Sequence, residues 1–222
     1  MRITAAAKDS TRKRILKVAQ RHFARHGFEA TTTRDIARDA QIAAGTLFNY
    51  FPTKEAIVES LVIDACDRAA ESFAADLNND DLSEIDSPNL SSPAAGPLSL
   101  EEDLFAHVVA MLRELKPFRK YMHVVLETSL SPLAEGRPGS EPSLRTSHLE
   151  TVGQLLVRHA KHEAATTVAT QLYWTLYTGL LAFWSKDSSP HQEDTLALLD
   201  ESLNMFVGWL TNANTQDLTQ RR

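Results

Sequence analysis

The sequence predicts an all-α chain, with a small N-terminal helical unit and a larger C-terminal helical body. Three observations carry this. Apolar residues recur at three- and four-residue spacing, as in Ile15, Leu16, Ala19 and Phe23 or Leu100, Leu104, Val108, Met111 and Leu115, the period of helices with one buried face. The stretch Thr31 to Glu55 is punctuated as two short helices, a tight turn between them and the start of a third. The net charge of −6 hides an asymmetry: residues 1–54 hold eleven Lys/Arg against four Asp/Glu, and the rest holds twelve against twenty-five. A composition of 43% hydrophobic and 23% charged residues over 222 positions suffices for one or two cores.

Residues 1–10 read as a flexible arm. Ser10 or Thr11 is expected to cap the first helix, and Gly27 supplies its left-handed stop. Thr32 then caps a second helix, with Asp35 completing a capping box and Ile36, Ala37 and Ala40 on the inner side. Asp39, Ala40 and Gln41 make the turn, and Ile42 plugs the space between the two helices. A third helix starts at Ala43 or Ala44 and ends at Tyr50, because Pro52 lacks the N–H to continue it. It buries Leu47 and Phe51 and leaves Ala44, Gly45, Thr46, Phe48, Asn49 and Tyr50 outward. Small residues at its front let a backbone approach closely, which suits the major groove of DNA. Thr33, Arg34, Thr46, Tyr50 and Lys54 are expected on phosphates, Ala44, Gly45 and Asn49 nearest base edges, and Phe48 on a sugar or a thymine methyl. A basic block coinciding with such a helix pair fits a module that meets a polyanion.

From about Thr11 to Leu61 the chain resembles the DNA-binding domain of the TetR family of transcriptional regulators. The resemblance lies in Thr11-Arg12, Ile15-Leu16, Phe23-Ala24, Gly27-Phe28, Thr31-Thr32-Thr33, Ile36-Ala37, Ala40, Ile42, Gly45-Thr46-Leu47, Tyr50-Phe51 and Lys54-Glu55. Two positions depart from it: Gln41 stands where the family usually has Gly, and Phe48 where it usually has Tyr. The resemblance implies a helix-turn-helix DNA-binding domain over 11–53 and a regulatory and dimerisation domain over 54–212. It implies a homodimer on a palindromic operator in double-stranded DNA, and repression relieved by a small, mainly apolar effector. An effector-independent DNA-binding dimer and an activator stay open as alternatives.

In the body, a helix from Lys54 to about Leu77 should connect the two domains. Residues 78–99, acidic and rich in Ser and Pro, read as a loop or disordered insertion. Leu100 to Leu115 is helical until Pro117 breaks the run. Helices are also expected over Phe118–Leu130 and about Ser143–His162, with a loop at 132–142 between them. Residues 164–185 carry no charge, but their six Thr and Gln residues and poorly placed Trp174 and Trp184 argue for burial over a membrane span. With the helix that follows Ser189, this segment should form the dimer seam, through Thr175, Gly179, Leu196, Leu199, Leu203, Phe206 and Leu210. Residues 213–222 read as a polar tail. Phe105, Met111, Phe118, Tyr121, Met122, His123, Tyr173, Trp174 and Tyr177 mix bulky walls with polar tips, as an effector pocket requires.

Other chemistry finds little support. No nucleophile has a base at useful spacing and no phosphate loop is present, so no enzymatic activity and no cofactor are expected. His22 with His26, and His159 with His162 and Glu163, are poor metal sets, and no metal is expected. The single Cys66 excludes an internal disulfide. Nothing near Met1 resembles a signal peptide, so a cytoplasmic location is expected.

Overall fold

The computed structural model describes residues 4–83, 98–128, 144–161, 163 and 165–220, and every element among them is helical. The expected loop at 132–142 lies outside these residues, as does 84–97 of the expected insertion. The first helix, α1 (Ala5–His26), begins six residues before the expected cap. Thr4 accepts from the Ala7 N–H at 3.3 Å, and Thr11 turns its hydroxyl back onto the Ala7 carbonyl at 2.9 Å, so Thr11 sits inside the helix instead of capping it. Residues 5–10 are therefore helix, not arm. Gly27 closes α1 at φ 82°, its N–H on the Phe23 carbonyl.

Two short helices come next, α2 (Thr33–Asp39) and α3 (Ala44–Tyr50). Thr32 accepts from the Asp35 N–H at 3.2 Å and donates to its carboxylate at 2.5 Å. The exit from α2 is a Schellman turn: Ile42 N–H reaches the Ala37 carbonyl and Gln41 N–H the Arg38 carbonyl, both at 3.0 Å. Gln41 stands at φ 55°, the left-handed position where glycine costs least. Thr53 then accepts from the Ala56 N–H and opens α4 (Lys54–Ser83). The helix runs past its expected end at Leu77, so the first six residues of the expected insertion continue it.

Ser99 and Glu102 form a reciprocal capping box on α5 (Leu100–Leu115). Pro117 does not end the helical path; it tightens it into a 3-10 turn over Lys116–Tyr121, which runs on as α6 (Met122–Thr128). Beyond it lie α7 (Leu144–Arg158) and α8 (Thr167–Lys186), and after a 3-10 turn at Pro190–Gln192, α9 (Glu193–Gln220). Asp187 holds the α8–α9 corner by accepting from the Ser189 N–H at 2.8 Å and from the Thr195 hydroxyl at 2.5 Å. Arg119 ties the same corner to the 3-10 turn, donating to the Trp184 carbonyl at 2.7 Å and to the carbonyl of Asp187.

A single core runs through head and body, from Ile15, Phe23, Ile36 and Leu47 to Leu104, Met122, Trp174 and Phe206. The head is fastened to the body by rings: Tyr121 packs on Phe23 at 5.8 Å and on Phe28 at 6.2 Å, and its hydroxyl donates to the Phe23 carbonyl. Among the described residues no helix is long and apolar enough to cross a membrane.

Candidate functional site

The α2–α3 pair is anchored from below and open above. Ile36, Ala37, Ala40, Leu47 and Phe51 are buried, and Ile42 fills the crotch between the helices. This leaves Ala44, Gly45, Phe48 and Asn49 exposed along one side of α3, with Phe48 48% exposed. Arg34 is exposed at the start of α2, while Thr33, Thr46 and Tyr50 are half-buried at the edges of that surface. The open face thus offers two small residues, one ring and one amide. An amide side chain on a helix narrow enough for the major groove can read a base edge bidentately.

Lys54, expected on a phosphate, is engaged within the chain. Its ammonium donates to the Phe28 carbonyl at 2.7 Å and the Thr31 carbonyl at 3.3 Å, and lies 4.0 Å from the centre of the Phe28 ring. It staples the start of α4 to the segment between α1 and α2. His22, paired in the sequence with His26 at helical spacing, instead faces Asp39, with Nε2 2.7 Å from the carboxylate, and joins α1 to α2. The Asp39 carboxyl is held below its ordinary range, first by Arg38 and then by His22.

In the body, the proposed ligand residues separate into groups. Met111, Met122, Trp174 and Tyr177 converge with Val62, Cys66, Leu115, His148 and Leu181 on a void of about 10 Å³. Tyr173 and Tyr177 meet Val108, Leu176, Leu180, Leu199 and Leu203 at a second of about 20 Å³. Phe118 and Tyr121 do not join them. Phe118 lies beneath a cleft between α1 and α4, and Tyr121 points at the head. His123 is exposed, and Phe105 is half-buried against α9, so neither enters a central pocket. For Phe118, Tyr121 and His123 the cause is the 3-10 turn at Lys116–Tyr121, whose tighter winding rotates these side chains away from the face that a continuous α-helix would give them. Phe105 follows Leu104 directly, and with Leu104 wholly buried its own side chain falls at the edge of the inner face.

Sequence reasoning missed a polar layer at the centre. His107 meets Phe73 in a tilted contact at 5.1 Å and stacks on His148 at 5.0 Å, and His148 lies 3.9 Å from the Tyr177 ring centre. Burial pushes His107 down to about 4 and His148 well below the ordinary histidine value, so both are neutral at pH 7. Burial also raises the Cys66 thiol to about 12, which makes it inert. Below this layer, Asp103 accepts from His159 at 2.7 Å. The signal was present in spacing: His107 falls in register with Leu100, Leu104 and Met111, and His148 with Val152 and Leu155.

The dimer residues need the plainest correction. Leu199, Leu203, Phe206 and Leu210 are 2–5% exposed within one chain, so they form its own core instead of an open seam. Thr175 and Gly179 do lie outside, and Leu196 is partly exposed. Around them Val168, Leu172 and Phe183 on α8, and Leu198, Met205 and Trp209 on α9, make the exposed apolar stripes.

The model for bacterial regulatory proteins of the tetR family matches residues 15–61, and the one described as "Tetracyclin repressor-like, C-terminal domain" matches residues 104–220. The HTH-type transcriptional regulator UidR of Escherichia coli K12 is 33% identical over 63 residues, 28% of this chain and 32% of that protein. The HTH-type transcriptional repressor KstR2 of Mycolicibacterium smegmatis is 43% identical over 58 residues, 26% of this chain and 28% of that protein. The chain thus spans about a third of the length of the curated relatives it matches. Two solved structures share the fold. FadR of Thermus thermophilus, a repressor in complex with lauroyl-CoA, superimposes with TM-score 0.59 at 17% identity, covering 88% of this chain and 93% of its own. A TetR regulator from Nitrosomonas europaea gives 0.52 at 19%, covering 88% and 97%. These relatives are transcription regulators, not enzymes. With one family model spanning the head and another more than half of the chain, this protein belongs to the tetR family of bacterial regulatory proteins.

Proposed function

We propose that the protein is a DNA-binding repressor that acts as a homodimer, with one α3 in each half-site of a palindromic operator. The observation that carries this is α3 itself: seven residues, pinned by Leu47 and Phe51, with Ala44, Gly45, Phe48 and Asn49 presented together to solvent. Residues 11–53 form the reading domain, with Thr33, Arg34, Thr46 and Tyr50 on phosphates, and 54–212 the regulatory and dimerisation domain. One short helix gives too little contact for tight specific binding, so two are needed, about one helical turn or a multiple apart. The seam is assigned to the outer stripes of α8 and α9, where Leu172, Thr175, Gly179 and Phe183 face out alongside Met205 and Trp209. Repression draws support from KstR2 and FadR, both repressors, and control by a ligand from FadR, which was solved with lauroyl-CoA.

A ligand releases DNA only if it binds the DNA-incompetent state better than the competent one. The small size of the two voids among the central aromatic residues, about 10 and 20 Å³, favours a second reading, a regulator set by its abundance alone. Selection of bound fragments from random DNA by the full-length protein tests the main reading. An inverted repeat with half-sites about one turn apart is expected. Enrichment of no sequence, or tight binding by a monomer, refutes it. DNA release in a broad ligand screen separates ligand control from abundance control.

A further inference from the structure

Among the described residues, four nitrogen atoms of the polar layer in the body find no hydrogen-bond partner: both ring nitrogens of His107, Nδ1 of His148 and Nε1 of Trp174. All three residues are almost wholly buried, at 1%, 4% and 1% exposure. His148 Nε2 is engaged, 3.2 Å from the Tyr173 hydroxyl, so its other nitrogen is left over whichever tautomer it adopts. His148 and Trp174 line the 10 Å³ void, and the rest of that lining is mainly apolar, with Met111, Leu115, Met122 and Leu181. Buried polar groups are nearly always paired, so the unpaired nitrogens of His148 and Trp174, which both line one void, with His107 stacked behind His148, mark a place built to be completed.

The chemistry of the missing partner follows from the donor set. The Trp174 indole can only donate, whereas each neutral imidazole carries one donor and one acceptor. A group that both accepts and donates, a hydroxyl, matches that combination better than a carbonyl, which only accepts. Among the described residues no cation lines the void; Arg145 lies 5.7 Å from the Trp174 ring centre but donates to Gln171 at 2.8 Å. Asp103, one turn before His107 on α5 and buried, is acidic. The rings of His148, Trp174 and Tyr177 suit a planar apolar body. Since the void is smaller than any such body, binding requires Met111 and Met122, the adaptable side chains of the lining, to swing aside. The ligand therefore favours a looser packing than the one described, which is the differential affinity that a switch needs.

We infer that the void bordered by His148 and Trp174, backed by His107, is the recognition end of an effector site for an uncharged, hydroxyl-bearing aromatic compound of the alkylphenol class. The inference rests on the reading of the body as ligand-responsive. It is tested on the full-length protein with three near-isosteres, 4-ethylphenol, ethylbenzene and 4-ethylbenzoate, by calorimetry and by release of selected DNA. The phenol should bind at least ten times more tightly than the hydrocarbon and release DNA, and the benzoate should not bind. His148→Phe should remove the tenfold preference for phenol over hydrocarbon, read as the ratio of the two affinities in the same variant. Trp174→Phe, which deletes one donor and keeps the histidine, is the second variant should the first fail to fold. Equal binding of phenol and hydrocarbon, binding of benzoate alone, no binding of any probe, or an undiminished phenol preference in the folded variants overturns the inference. If a compound of another class releases DNA while the phenol series does nothing, the hydroxyl assignment falls and ligand control stands. If nothing in a broad screen releases DNA, ligand control itself falls.

Discussion

Replacing Lys54 by Met keeps the apolar stem and deletes only the ammonium, which isolates what that charge does. The ammonium makes two hydrogen bonds to carbonyls, at 2.7 and 3.3 Å, and sits 4.0 Å from the Phe28 ring centre. A hydrogen bond to a charged group contributes about 1.5–3 kcal/mol, and a partly exposed cation over a ring about 0.5–1 kcal/mol. The 3.3 Å bond is long, the side chain is only half-buried, and Lys loses much rotamer freedom when fixed, so a net of about 2–3 kcal/mol is the reasonable sum. In a chain of this length that corresponds to a fall in Tm of roughly 5–10 °C. Urea denaturation and calorimetry measure it, and a salt titration of DNA binding provides the second axis. Lys54→Met should lose stability and weaken DNA binding through a loosened head, with the slope of log K against log salt little changed. A variant as stable as the parent, whose salt slope falls by about one, would show that the ammonium serves a phosphate and would refute the staple.

Three further outcomes are expected. Met205→Glu combined with Trp209→Glu, at positions 70% and 38% exposed, should give folded monomers in sedimentation and circular dichroism. Leu203→Glu, at a core position, should unfold the chain instead, and a dimer surviving the first pair would move the seam elsewhere. Asn49→Ala should relax preference at one base pair by about 1–3 kcal/mol, whereas Arg34→Ala should weaken all sequences alike and lower the salt slope by about one. Acidification should destabilise the body before its carboxylates titrate. The unfolded chain takes up protons at its histidines below about pH 6.5, whereas folded His107 stays neutral down to about 4. Stability is therefore full above pH 6.5 and is lost as the pH falls towards 4, by about 3 kcal/mol for His107 alone. His107→Phe should flatten that part of a pH series of urea midpoints, and an unchanged slope would count against the buried neutral imidazole.

The head was readable because its signals are local. Thr32, Gly27, Pro52 and Thr53 each fix a helix end through their own backbone or side chain, and Ile36 and Leu47 fall at the spacing that faces them inward. The start of α1 was misread because two threonines competed for the cap, and the hydroxyl of Thr11 was free to bond back along a helix already begun at Thr4. The contacts of Lys54 within the chain were illegible for a different reason. Its partners are carbonyls 23 and 26 residues away, and no periodicity reports them. On α9 the difficulty was an excess of signal: Leu199, Leu203, Phe206 and Leu210 form one apolar stripe, and Leu198, Met205 and Trp209 another. A sequence shows that two stripes exist, and only the packing of α5 and α8 decides which one the chain keeps for itself. The polar layer escaped because single histidines on apolar helix faces say nothing of one another until α5 and α7 bring their rings to 5.0 Å.

The length of α4 has a mechanical consequence. Thirty residues at about 1.5 Å per residue make a rod of roughly 45 Å, gripped near one end by the Lys54 staple and along its middle by the body. A tilt of about 5° about the gripped middle, an arm of roughly 22 Å, carries the head end through about 2 Å. In the proposed dimer, two such rods tilting in opposite senses would change the spacing between reading heads by up to twice that amount, about 4 Å, close to the 3.4 Å step between base pairs along one strand. A displacement in the body no larger than a side-chain rearrangement is thereby geared up to a whole register of DNA.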